Sequence, residues 1–338
     1  MAHPLRFTFA ISSYDHIRAV VDGCIPIEGA EPLFVQMPIP EMFRRFVAHR
    51  DWDVSEMSFV QYGTIRASGD DGIVGLPVFP SRVYRQTAIF VRSDRIAEPE
   101  DLRGRRIGIV AWSNSAAVWA RGLLSDMHGI KPADVTWYQG GVEKPGRPEV
   151  VPAPHLSDDV QVIPATDRGI EEMLWAGDLE AIIVPSPPAS VESSVRAGGL
   201  VRLLYDDPWE EERRYREQTG CVPIMHVVAL DRALYERDDD IVRRIYEALD
   251  RARREYFERV ADPAGLVPIP WVDEHIASLG VVDASDPWPY GVEANRPTLE
   301  TYLRYLREQG LIAGAFEPDD LFPEWLAAQR EPEPTVAR

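Results

Sequence analysis

Short apolar runs alternate with amphipathic stretches along the first ninety residues. Runs at 5–11, 32–37 and 53–57 predict strands, and 41–49 carries its apolar side chains at helical spacing. The polar turn Ser12-Ser13-Tyr14-Asp15-His16 leads from the first strand into a short helix. Further strands are predicted at 73–79 and 87–91, before a charged, turn-rich segment at 98–106. Beyond it the alternation resumes with a strand at 107–110, a helix at 116–127, a strand at 135–138, a helix at 169–176 and a strand at 179–184. Another strand is read at 224–230. A long helix at 239–260 follows, placing Ile241, Ile245, Ala248, Leu249, Ala252 and Tyr256 on one face, and a last helix covers 298–309. This β-α-β order implies an α/β fold with largely parallel sheets, and a lobe boundary is placed near residues 92–98. Between 140 and 164 five prolines interrupt any periodicity, which predicts a surface excursion, and the Pro- and Glu-rich residues 331–338 are expected to be a disordered tail.

Composition narrows the reading. At 338 residues the chain can bury a substantial core, and its length suggests two lobes. With 45% apolar and 27% charged residues it is globular in composition. Its 36 basic and 55 acidic residues leave a net charge of −19, a field that repels nucleic acid and anionic membranes. A small anion remains an acceptable ligand, because a few arginines turned inward override the global sign locally. Cys24 and Cys221 are far apart and have no metal-ligand spacing, so neither a disulfide framework nor a zinc site is expected. No apolar leader and no run of membrane-spanning length is present, which points to a cytoplasmic location.

In open α/β sheets ligands settle beyond the carboxyl ends of the strands, so the candidate site residues are sought there. The first strand delivers Tyr14 and His16, the third Glu56 and Ser58, and the strand near 110 delivers Trp112, Ser113, Asn114 and Ser115. The last three precede a helix whose free N–H groups and dipole suit a carboxylate, with ordinary N-capping as the competing reading. Arg82 and Arg85 stand three apart; solvated surface arginines are the default reading of such a pair, and the flanking Phe79-Pro80-Ser81 favours a guanidinium fork for a dicarboxylate. Arg121 is a further candidate, or a packing residue. His226 lies inside an apolar strand, where a satisfied core histidine competes with a catalyst. Glu56 would serve as an acid or base if burial raised its pKa. Tyr14 and Trp112 could stack on an aromatic ring. The remaining histidines and acidic runs lack metal-like spacing, and no dinucleotide, phosphate-loop or Ser-His-Asp pattern is present.

Five segments carry a resemblance. They are Phe79-Pro80-Ser81-Arg82-Val83-Tyr84-Arg85, Ser115-Ala116-Ala117-Val118-Trp119-Ala120-Arg121-Gly122-Leu123-Leu124, and Gly140-Gly141-Val142-Glu143 with Pro145-Gly146-Arg147. The others are Pro223-Ile224-Met225-His226-Val227-Val228 and Tyr290-Gly291-Val292-Glu293-Ala294-Asn295-Arg296-Pro297-Thr298-Leu299. Together, and in this order, the chain resembles the 4,5-dihydroxyphthalate decarboxylase family. The resemblance implies a two-lobed fold of the periplasmic-binding-protein type, with a ligand cleft between the lobes. Residues 1–95 and 222–330 would form a discontinuous first lobe and 96–221 the second. It departs at Ala111-Trp112-Ser113-Asn114-Ser115, where family members often carry Tyr-Gln-Met-Thr-like residues.

The implied activity is loss of CO₂ from a hydroxylated aromatic acid after protonation of the ring carbon that bears the carboxylate. His16 and His226 would be acid and base, Glu56 their tuner or substitute, and Arg82 with Arg85 the carboxylate anchor. No organic cofactor is expected, and a divalent ion on the catechol oxygens stays open. The expected partner is a small aromatic carboxylate, and self-association into a homo-oligomer is compatible with the sequence. The rival readings are a solute-binding protein without catalysis and a related enzyme for a bulkier aromatic acid.

Overall fold

The computed structural model describes residues 3–146, 153–262, 268, 270–272 and 286–329. The tail at 331–338 and the middle of the proline-rich excursion lie outside these residues. Among the described residues eleven strands build two sheets. They are β1 (Leu5–Ala10), β2 (Ala30–Val35), β3 (Val54–Ser58), β4 (Ile73–Arg82), β5 (Ile89–Arg92), β6 (Arg106–Ile109), β7 (Thr136–Gln139), β8 (Gln161–Pro164), β9 (Ala181–Ile183), β10 (Val201–Leu203) and β11 (Ile224–Asp231).

The first sheet has the order β2-β1-β3-β11-β4. β1 pairs in parallel with β2 and β3, as the alternation at 5–58 predicts. β11 enters from far along the chain and runs antiparallel to both β3 and β4, so it is a central strand. Its apolar sequence follows from that position, since a central strand is covered on both faces.

The second sheet has the order β10-β5-β9-β6-β7-β8. β5 pairs antiparallel with β9 and β10, which corrects the boundary placed near residue 95. The change of sheet falls between Arg82 and Ile89, because the hydrogen bonds of β5 all go to the second sheet. The charged stretch at 98–106 is a turn inside that second unit. Alternation in the sheet is clean: Ile89, Val91, Ala181 and Ile183 face one apolar cluster, while Phe90 and Ile182 face another beneath the helices Ile170–Ala176 and Ala189–Ala197.

The larger cluster runs without a break under both sheets. Helix Ser115–His128 is the bridge, with every residue from Ser115 to Leu124 buried. The Trp119 indole N–H donates to Ile224 O at 2.9 Å, Arg121 Nε to Gln309 Oε1 at 2.7 Å, and Gln309 Nε2 to Val118 O at 3.0 Å. Arg304 pairs with Asp126 at 2.6 Å. Helix Arg296–Glu308 of the first unit is thereby fastened to the first long helix of the second. Among the described residues no helix is long and apolar enough to cross a membrane.

Candidate active site

Glu56 lies in β3, where every residue is buried, and its side chain is fully enclosed. Three donors converge on it. The Ser12 amide reaches Oε2 at 2.9 Å, while the Tyr14 hydroxyl at 2.5 Å and His226 Nδ1 at 2.6 Å share Oε1. Burial alone would push this carboxyl up, but the His226 hydrogen bond and charge, the Tyr14 hydroxyl and the Ser12 amide outweigh it and hold the pKa below the ordinary value. That reverses the expectation of a raised Glu56. An ionised carboxylate only accepts, so Nδ1 of His226 carries the proton and Nε2 is its working nitrogen.

The elements that bring these groups together are distant in sequence. Glu56 and His226 are 170 residues apart. They meet because β11 pairs with β3, with His226 opposite Ser58. Phe43, from helix Ile39–His49, packs edge-on to the imidazole at 4.8 Å and fixes its plane. Tyr14 lies 3.2 Å from Nδ1, and burial followed by the Glu56 charge raises its phenol far above the usual range, keeping it a donor.

His16 sits beside this group in an aromatic surround. Its ring centroid is 5.5 Å from Tyr14, 5.7 Å from Trp288, and 6.4 Å from both Tyr256 and Phe257. Burial, reinforced by Arg253, lowers its pKa to about 4, so the imidazole is neutral near pH 7. Its Nε2 is buried without a partner among the described residues. Linkage gives a prediction. The unfolded chain binds a proton at His16 from about pH 6.5 downward, whereas the folded chain does so only near pH 4, so acidification across that window costs about 3 kcal/mol of stability. Urea unfolding at pH 7 and pH 4.5 should reveal the loss, and His16→Asn should flatten it. The Glu56 contribution is lost separately, as the pH falls below its ordinary carboxylate range.

The two arginines do not form one fork. Arg82 Nη2 donates to Pro289 O and Asn295 Oδ1, both at 2.6 Å, and its guanidinium lies over Phe79 and Trp288. Arg85 turns elsewhere, with Nε donating to Met225 Sδ at 3.0 Å. Both are buried, burial lowers each to about 10, and among the described residues neither has a carboxylate partner. They separate because Arg82 ends β4 against the returning 288–295 segment, while Arg85 belongs to the connection into β5.

Ser58 and Ser115 meet, Oγ to Oγ at 2.9 Å, and Ser115 also donates to Met225 O at 3.1 Å. Asn114 is the N-cap of helix Ser115–His128, accepting from Ala117 N at 3.3 Å, and Ser113 is buried just before it. Trp112 is corrected from a ring-stacking residue to a packing one. Its indole N–H donates to Gln309 O at 2.9 Å and its face carries the Arg121 guanidinium at 3.8 Å. Arg121 is likewise a packing residue. Sequence reasoning missed Phe43, Arg253, Trp288 and Gln309. Asn295 stood in a quoted segment, and Arg253 interrupts the apolar face of helix Ile241–Val260, which was the available signal. Among the described residues no three His, Cys, Asp or Glu side chains gather as metal ligands.

Two α/β units joined by two crossings, with the first completed by a late strand, define a protein of the periplasmic-binding-protein fold. The periplasmic aliphatic sulphonate binding protein SsuA from Escherichia coli superposes with a TM-score of 0.53 at 16% identity, over 94% of this chain and 97% of that one. A putative periplasmic sulfonate-binding protein from Methylobacillus flagellatus KT gives 0.53 at 13% identity, over 97% and 94%. No protein-family model matches the chain. A 4,5-dihydroxyphthalate decarboxylase from Pseudomonas putida is 37% identical over 225 residues, 64% of this chain and 86% of the relative. One from Comamonas testosteroni is 29% identical over 321 residues, covering 94% and 96%. The chain belongs to the 4,5-dihydroxyphthalate decarboxylase family, a family of carboxy-lyases.

Proposed function

We propose that this protein removes CO₂ from a hydroxylated aromatic dicarboxylate of the 4,5-dihydroxyphthalate type, by protonating the ring carbon that carries the departing group. The observation that carries the reading is the His226–Glu56 pair, a histidine oriented by a buried ionised carboxylate, in a chain of a decarboxylase family. Direct loss of CO₂ would leave an aryl carbanion, so the proton comes first. Protonated His226 gives the proton from Nε2 to the ring carbon, and Glu56 stabilises the imidazolium at Nδ1. The hydroxyl para to that carbon loses its proton and becomes a carbonyl. Neutral His16 is the acceptor beside it. The C–C bond then breaks, its electron pair restores the aromatic ring and phenolate, and one carboxylate has been exchanged for one hydrogen.

Arg82 and Arg85 supply the positive charge that holds the acid, and Tyr14 holds Glu56. What supports a position between the lobes is the contact of Ser58, at the end of β3, with Ser115, at the head of a helix that follows β6. The test is CO₂ release from 4,5-dihydroxyphthalate and a panel of hydroxybenzoates, with and without Mg²⁺ or Mn²⁺. Turnover of the dicarboxylate is the expected result, and the metal arms decide whether a divalent ion on the catechol oxygens contributes. Tight binding without CO₂ would make the chain a solute-binding protein and overturn the proposal.

A further inference from the structure

We infer that Arg85 reads the carboxylate that stays on the ring, and so makes the site selective for an ortho-dicarboxylate; this rests on the decarboxylase reading above. The chain has 55 acidic and 36 basic residues, yet buried Arg85 has no carboxylate partner among the described residues, whereas buried Arg92 and Arg253 are paired with aspartates. Arg85 is only 8% exposed, and Met225 Sδ, a weak acceptor, is its side-chain partner. Burying an uncompensated cation is costly, and such a group persists where an anion arrives to complete it.

Its backbone is also built to hold still. Arg85 N–H donates to Gln86 Oε1 at 3.1 Å, and the buried Gln86 donates onward to Glu211 O at 3.3 Å, which ties the crossing segment to helix Pro208–Thr219. Met225 precedes His226 in β11, and its carbonyl accepts from Ser115 Oγ, the hydroxyl that also meets Ser58 where the two units touch. Arg82, by contrast, already has two oxygens on one nitrogen and holds the 288–295 segment in place.

Chemistry decides which carboxylate Arg85 takes. The departing group loses its charge on the way to neutral CO₂, so an ion pair on it would stabilise the starting state more than the transition state. The retained carboxylate keeps its charge throughout. An ion pair there binds substrate, transition state and product alike, which lowers KM and leaves kcat alone. The product, 3,4-dihydroxybenzoate, keeps that carboxylate and should inhibit competitively.

The experiment compares wild type with R85M and R85K, measuring KM, kcat, inhibition by 3,4-dihydroxybenzoate, and Tm. The expected result for R85M is a KM raised about tenfold or more, with kcat within about threefold and product inhibition weakened by a similar factor. Its Tm should rise, because an unpaired buried charge has been removed, whereas a purely structural arginine would give a lower Tm. R85K should fall between the two in KM. A lowered Tm with unchanged KM and inhibition, or a fall in kcat alone, would overturn the assignment. If wild type releases no CO₂, the functional reading fails by itself, and calorimetric binding of phthalate to wild type and R85M still decides the anchor: equal affinities would sink it.

Discussion

Replacing His226 with alanine is expected to lower CO₂ release by about 10²–10⁴-fold while the protein still folds, because a positioned acid at the reacting carbon contributes about that much. Folding should survive, since Glu56 keeps the Ser12 amide and the Tyr14 hydroxyl after the imidazole is removed. Glu56→Gln separates orientation from charge. The amide oxygen still accepts from Nδ1, but it no longer stabilises the imidazolium. kcat should therefore fall with KM little changed, and the alkaline limb of the pH–rate profile, where the acid gives up its proton, should move to lower pH. A Glu56→Gln enzyme with the wild-type profile would remove the carboxylate from the mechanism.

Gly122→Ala should destabilise the protein by about 2–4 kcal/mol, although the same change in an open helix stabilises by about 1 kcal/mol. A Cβ at position 122 would stand 2.2 Å from the Tyr305 ring. That ring cannot swing aside, because its hydroxyl donates to Asp126 at 2.5 Å and lies 3.1 Å from the Tyr215 hydroxyl. Asp126 is itself on the helix that carries Gly122, so moving the helix carries the obstruction with it. Urea unfolding followed by tryptophan fluorescence would measure the loss, and Tyr305→Leu in the same chain should recover part of it.

The sequence made the alternation legible at β1, β3 and helix Ile241–Val260, but not at the helices Phe59–Ala67, Ala189–Ala197 and Pro208–Thr219. β8 and β10, at four and three residues, were too short to declare themselves. The place of β11 was not legible from pattern either, since an apolar run does not say which strands it will lie between. Resemblance implied the return of residues 222–330 to the first lobe, but the place of β11 between β3 and β4, which brings His226 to Glu56, is read from the structure alone. Trp112 was misread because a strand end is where ligands and packing anchors both occur, and only the Gln309 carbonyl distinguishes them. The arginine fork was misread because spacing in sequence does not reveal that the backbone leaves one sheet between the two residues.

The strand order also sets a timetable for synthesis. β3 and β4 have no hydrogen bonds to each other and are joined only through β11. On the ribosome β4 therefore waits for a partner encoded about 150 residues later, roughly 7–30 s at about 5–20 residues per second. Every strand of the second sheet is made within that interval, so the unit encoded later is completed earlier. His226 arrives with the closing strand, which means that a stalled or truncated chain carries an exposed β4 edge and lacks this histidine, and nascent chains of this protein should depend on a holding chaperone until β11 emerges.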